Sequence, residues 1–141
     1  MRFYVELGET AELSRTLTEE DVAKFAELSG DFDPIHMDDA YAAKSRYGRR
    51  VAHGILSMAL LSSVSAMISR RAKERGSPGV SVSLGYDRIR FIKPVFIGDT
   101  LTARYTIQAL EGDRSRSRAE VINQAGELVV AGEHVMKWLP E

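Results

Sequence analysis

The chain has 141 residues, about the length of one compact domain, and we predict a single domain over residues 1–141. Nineteen Lys and Arg against twenty Asp and Glu give a net charge of −1, so no overall field favours nucleic acid as a partner. Because cysteine is absent, disulfides, thiolate nucleophiles and cysteine metal sites are excluded. No apolar stretch reads as a secretory signal or a membrane span, and we expect a cytoplasmic protein with no membrane partner.

The first half of the chain is predicted to hold one strand and three helices. A short strand covers residues 11–17. A hydroxyl cap followed by acids at residues 18–21 starts a helix that ends near Gly30. A second, brief helix follows Asp38, and a long apolar helix is predicted over residues 54–75.

Beyond Gly79 the spacing of apolar residues changes from that of a helix to every second residue, as in a strand. Val80, Val82 and Leu84 alternate with polar or small residues, whereas Phe91 continues on the opposite parity, which predicts a bulge near Asp87. Three more strands are predicted, over residues 101–107, 115–121 and 128–138. The order of strand, helices and four strands indicates an α+β fold, a five-stranded antiparallel sheet with one long helix on one face.

The stretch SGDFDPIHMDD, residues 29–39, is rich in titratable side chains. These could form a metal site, a turn or an acid–base pair. As a calcium loop the stretch fails, because His36 replaces the required glycine and Ala42 the required glutamate. A transition-metal site built from Asp31, His36 and His53 is conceivable, although no spacing enforces it. We therefore expect no metal.

A turn is the second interpretation, with Asp33 before Pro34 and Asp38 capping the next helix. It accounts poorly for Asp31 and His36. In the third, Pro34 fixes an extended segment that folds His36 back beside Asp31, so that the two hold one water between them for acid–base work.

The motif also carries a family resemblance. SGDFDPIHMDDAYAAKSRYGRRVAHGILSMALLSS, residues 29–63, resembles the hydratase motif of the MaoC-like, or (R)-specific enoyl-CoA hydratase, family: G-D-x-N-P-I-H-x-D with H-G about seventeen residues later. FIKPVFIGDTL, residues 91–101, resembles the family's entry to its later strands. The resemblance implies the hot-dog fold, in which a curved antiparallel sheet wraps one long central helix, and a homodimer.

It also implies a function and a set of site residues. The implied reaction is hydration of trans-2-enoyl-CoA to (R)-3-hydroxyacyl-CoA, or its reverse, with no cofactor. Asp31 and His36 match the family's catalytic pair, Gly54 the donor of an N–H to the thioester oxygen, and Ser62 a serine at the substrate. Asp33 stands where the family usually has Asn.

Three alternatives stay open. The first is the same chemistry on an acyl carrier protein, as a (3R)-hydroxyacyl-acyl carrier protein dehydratase. The second is a hot-dog thioesterase, which the lack of Asp or Glu between Ala52 and Lys73 disfavours. The third is a non-catalytic acyl-binding or partner subunit. His53, beside Gly54, is expected to be structural.

Overall fold

The computed structural model describes residues 1–139, which contain five strands and five helices. The strands are β1 (Thr10–Thr16), β2 (Ser81–Phe91), β3 (Thr100–Glu111), β4 (Arg114–Ile122) and β5 (Leu128–Trp138). The helices are α1 (Glu19–Ser29), α2 (Pro34–Met37), α3 (Asp39–Ala43), α4 (Gly54–Ser57) and α5 (Leu60–Glu74).

All five strands form one antiparallel sheet in the order β1-β3-β4-β5-β2, which confirms the predicted sheet. The predicted bulge is present: the register of β2 against β5 shifts between Asp87 and Arg90. Within it Arg88 has a φ of 57°, a left-handed conformation that an L side chain rarely adopts. The bulge bends β2 and carries Phe91 toward the helical layer.

One face of the sheet is covered by α5. Its buried side chains recur at helical spacing and meet the buried, alternating side chains of β3 to form the centre of the core. From α5 these are Leu61, Val64, Ile68 and Ala72; from β3 they are Leu101, Ala103, Tyr105 and Ile107.

The predicted single helix over residues 54–75 is wrong in its first turns. Gly54–Ser57 forms the separate turn α4, and α5 begins only at Leu60. At the junction the backbone bonds tighten, since the N–H of Ala59 donates to Leu56 and that of Ser62 to Ala59, three residues back rather than four. The central helix is therefore 15 residues long.

The shorter predicted helices are confirmed. Thr18 caps α1 through a reciprocal pair of hydrogen bonds with Asp21, and Gly30 ends it in a left-handed conformation. Across residues 1–139, no helix is both long and apolar enough to traverse a bilayer.

Candidate active site

Within residues 29–39, Pro34–Met37 forms the short helical turn α2 between Asp33 and Asp38. The Asp33 carboxylate accepts the N–H of Ile35 at 3.0 Å and opens α2, whose first residue is Pro34. The Asp38 carboxylate caps α3 by accepting the N–H of Tyr41, also at 3.0 Å. The extended segment expected after Pro34 is thus a helical turn, because proline's fixed φ suits a first helical position.

That turn brings His36 beside Asp31, as the third interpretation requires. His36 Nε2 lies 3.7 Å from Asp31 Oδ2, beyond hydrogen-bond distance but short enough for one water to contact both atoms. The imidazole is mostly shielded, whereas the carboxylate is about half exposed. The pair combines a shielded ring with an accessible acid.

The tautomer of His36 follows from its other ring nitrogen. Nδ1 lies 2.6 Å from the backbone carbonyl oxygen of Val51, which can only accept, so Nδ1 carries the hydrogen. When the ring is neutral, Nε2 is therefore a bare acceptor directed toward Asp31. A nitrogen in this state can take a proton from water.

Asp31 and Asp33 differ in role although both belong to the motif. Asp31 Oδ1 accepts the N–H of Asp33 at 3.2 Å, which leaves Oδ2 toward His36. Asp33 is exposed and serves as the α2 cap, a task that the family's Asn performs equally well. The departure from the family pattern therefore does not alter the pair.

Gly54 is the first residue of α4, and its N–H has no acceptor among residues 1–139. A Cβ at Gly54 would lie 2.9 Å from two ring carbons of Phe91. The space beside its Cα is therefore filled by an aromatic ring. The glycine is needed for close packing as well as for its N–H.

A cavity of ≈ 380 Å³ brings together His36 and Gly54, whereas Asp31 is not among its lining residues. His36, Gly54 and Phe91 line it together with three residues that the sequence reasoning did not select: Tyr47, Ser57 and Lys93. The parity change in β2 was the available signal for Phe91, since it indicated a side chain turned to the helical face. For the other three the sequence held no comparable signal.

Ser62 does not line this cavity. It lies on the exposed face of α5, and its side chain makes no hydrogen bond within residues 1–139. Ser57, which does line the cavity, donates its hydroxyl to the Gly54 carbonyl at 2.6 Å.

His53 completes a group of three potential metal ligands with Asp31 and His36. The two imidazoles are stacked with centroids 3.9 Å apart and planes 29° apart. One nitrogen of each ring is already bonded to a backbone carbonyl oxygen, His36 Nδ1 to Val51 and His53 Nε2 to Asp31, which leaves fewer nitrogens to coordinate an ion. The geometry suits an acid–base pair better than a metal centre.

Comparison with known proteins agrees with the fold and the motif. The family model described as "MaoC like domain" matches residues 5–130. An (R)-specific enoyl-CoA hydratase of Aeromonas caviae is 36% identical over 135 residues, covering 94% of this chain and 95% of the relative. A 3-hydroxybutyryl-CoA dehydratase of Methylorubrum extorquens is 33% identical over 134 residues, covering 94% and 80%.

Solved structures give the same result. The unliganded R-hydratase of Pseudomonas aeruginosa superposes with a TM-score of 0.83 at 37% identity, covering 99% of this chain and 86% of that one. The (R)-hydratase of A. caviae superposes with a TM-score of 0.80 at 35% identity, covering 96% and 98%. These relatives confirm the predicted hot-dog architecture of a sheet around a central helix.

Proposed function

The chain belongs to the MaoC-like family, and from this premise we propose that it hydrates trans-2-enoyl-CoA to (R)-3-hydroxyacyl-CoA and catalyses the reverse dehydration. The observation that carries the proposal is the bare His36 Nε2 held 3.7 Å from Asp31 Oδ2. The two curated relatives described above carry names that state the two directions of this reaction.

In the hydration direction His36, which lines the cavity, and Asp31 beside it bind one water between them. His36 Nε2 takes a proton from this water as the oxygen bonds to C3 of the enoyl thioester. The electron pair of the double bond moves toward the thioester carbonyl, and C2 then receives a proton through the His36–Asp31 pair, in exchange for the proton taken from the water, so that H and OH are both added and the pair returns to its initial state. The half-exposed Asp31 carboxylate orients the water and passes protons between the site and solvent.

Gly54 stabilises the charge that develops on the thioester oxygen. Its N–H is available because a first helical residue has no partner one turn before it. One backbone donor aimed at a developing oxyanion contributes about 10² to 10³ in rate. The one-turn α4 adds little dipole, so the hydrogen bond itself supplies the effect.

The experiment is a spectrophotometric hydration assay with crotonyl-CoA, octenoyl-CoA and the matching acyl carrier protein thioesters. Turnover on the CoA thioesters supports the proposal. Turnover restricted to the carrier thioesters would replace it with the carrier-protein dehydratase, and no turnover on any substrate would favour a non-catalytic acyl-binding subunit.

The assignment of the pair is tested by Asp31→Asn, His36→Ala and the double variant. Each single change should lower kcat by about 10² to 10⁴, the usual scale of acid–base catalysis. Because both groups serve one step, the double variant should be hardly slower than the worse single variant. Asp33→Asn is the matched control, since asparagine also caps α2, and its kcat should equal that of the wild type.

Losses that multiply in folded double variants would assign Asp31 and His36 to separate steps. Wild-type turnover in either single variant would mean that residues 29–39 serve only as a turn.

Ser62 is proposed as a substrate contact that acts in the dimer, because its exposed position on α5 leaves it free to meet a substrate held at the subunit boundary. Ser62→Ala should then raise KM for the thioester and leave kcat within about twofold, whereas unchanged KM for both acyl lengths would remove Ser62 from the site.

A further inference from the structure

His53 is buried directly behind the proposed catalytic pair, and the acid–base chemistry does not use it. Its side chain is 2% exposed, and Nε2 lies 2.9 Å from the backbone carbonyl oxygen of Asp31. Since a carbonyl only accepts, Nε2 carries the hydrogen and donates it. The backbone of Asp31 is thereby tied to the residue that precedes Gly54.

The same ring also supports His36. The two imidazoles stack at 3.9 Å, and Phe25 packs against the His53 ring with centroids 4.7 Å apart. The position of the His36 ring is thus fixed by the Val51 carbonyl at its edge and by His53 on its face. One side chain contacts both members of the pair and is the chain neighbour of the proposed oxyanion donor.

The hydrogen bond determines the tautomer of the neutral His53 ring. With Nε2–H donating, Nδ1 carries no hydrogen in the neutral ring, and it is buried with no hydrogen-bond partner within residues 1–139. The Nε2 hydrogen is thus committed to the Asp31 carbonyl oxygen.

We propose that His53 is a positioning residue of the hydration site: it holds the Asp31 backbone by its Nε2–H and supports the His36 ring by stacking, while it takes no proton itself. The inference rests on the proposed hydratase function and extends it. As His36 accepts the proton of water, the stacked His53 ring keeps the His36 ring in place.

Two amide variants separate the hydrogen bond from burial and polarity. The amide nitrogen of His53→Gln reaches the place of Nε2 and can still donate to the Asp31 carbonyl, whereas that of His53→Asn reaches only the place of Nδ1. Both remove the ring and both leave a buried primary amide, so each is the other's control.

His53→Asn should lower kcat by about 10²-fold, the cost of a misplaced catalytic group, with KM for crotonyl-CoA within about threefold of the wild type. His53→Gln should recover about tenfold of the lost kcat. Equal kcat in the two folded variants, or a loss expressed in KM alone, would overturn the positioning role. Wild-type turnover is measured first: its absence refutes the hydratase function, whereas wild-type turnover with an unimpaired His53→Asn refutes only this inference.

A measurement on the wild-type protein applies even if an amide variant does not fold. Nitrogen-15 NMR of histidine-labelled protein should show that Nε2 of His53 carries a hydrogen. The resonance is assigned from whichever folded His53 variant lacks it, or otherwise from contacts to Phe25. An Nδ1–H tautomer of His53 with a bare Nε2 would overturn the inference.

Discussion

The contact between Gly54 and Phe91 predicts that the effect of Gly54→Ala on stability depends on whether Phe91 is present. In Gly54→Ala the new Cβ would meet Phe91 ring carbons at 2.9, 2.9 and 3.0 Å, closer than real Cβ contacts. Overpacking of this kind costs about 1 to 3 kcal/mol, and the higher helix propensity of alanine returns about 0.5 to 1 kcal/mol. Gly54→Ala should therefore destabilise the chain by up to about 2.5 kcal/mol, and lower Tm by up to about 10 °C.

Removing the ring should reverse the effect. In a Phe91→Ala background the clash is gone and only the gain in helix propensity remains, so Gly54→Ala should be neutral or stabilising by up to about 1 kcal/mol. Phe91 is 50% exposed, and its truncation alone should leave the fold intact.

The assay is urea unfolding by circular dichroism of the wild type, both single variants and the double variant. Equal destabilisation by Gly54→Ala in both backgrounds would refute the contact, because unlinked sites have additive free energies of unfolding.

Three further results are expected. Burial lowers the pKa of His134 to about 4. As pH drops from 6.5 to 4, the unfolded chain is therefore protonated at His134 before the folded chain, and the free energy of unfolding should fall by up to about 3 kcal/mol. In a pH series of unfolding curves His134→Gln should flatten this fall, and an unchanged slope would assign the pH dependence to other groups. The edge strand β2 and the residue before it expose three apolar side chains, those of Val80, Val82 and Leu84. Light scattering at micromolar concentration should therefore show a homodimer, which Leu84→Glu should weaken. A wild-type monomer would contradict this prediction. Turnover should survive EDTA, whereas loss of activity restored by one divalent ion would require a metal mechanism.

Strands and caps could be predicted because their signals are local. Apolar alternation places β5 over Leu128–Trp138, as predicted, and the parity change locates the β2 bulge. The division between α4 and α5 has no such signal, since Leu56, Met58 and Ala59 are all ordinary helix residues. It arises where the chain leaves the segment bonded to Val95 and turns onto the sheet, which depends on tertiary packing.

The site shows the same limit at the level of single atoms. The family resemblance selects His36 and not His53 as the catalytic imidazole, but the residue types alone give no physical reason for the choice, because both rings have the same chemistry. Two backbone carbonyls distinguish them. Val51 takes Nδ1–H of His36 and leaves Nε2 open toward Asp31, whereas Asp31 takes Nε2–H of His53 and leaves no donor or acceptor at the water position. The assignment of the base to His36 therefore comes from chain segments that meet only in the folded protein.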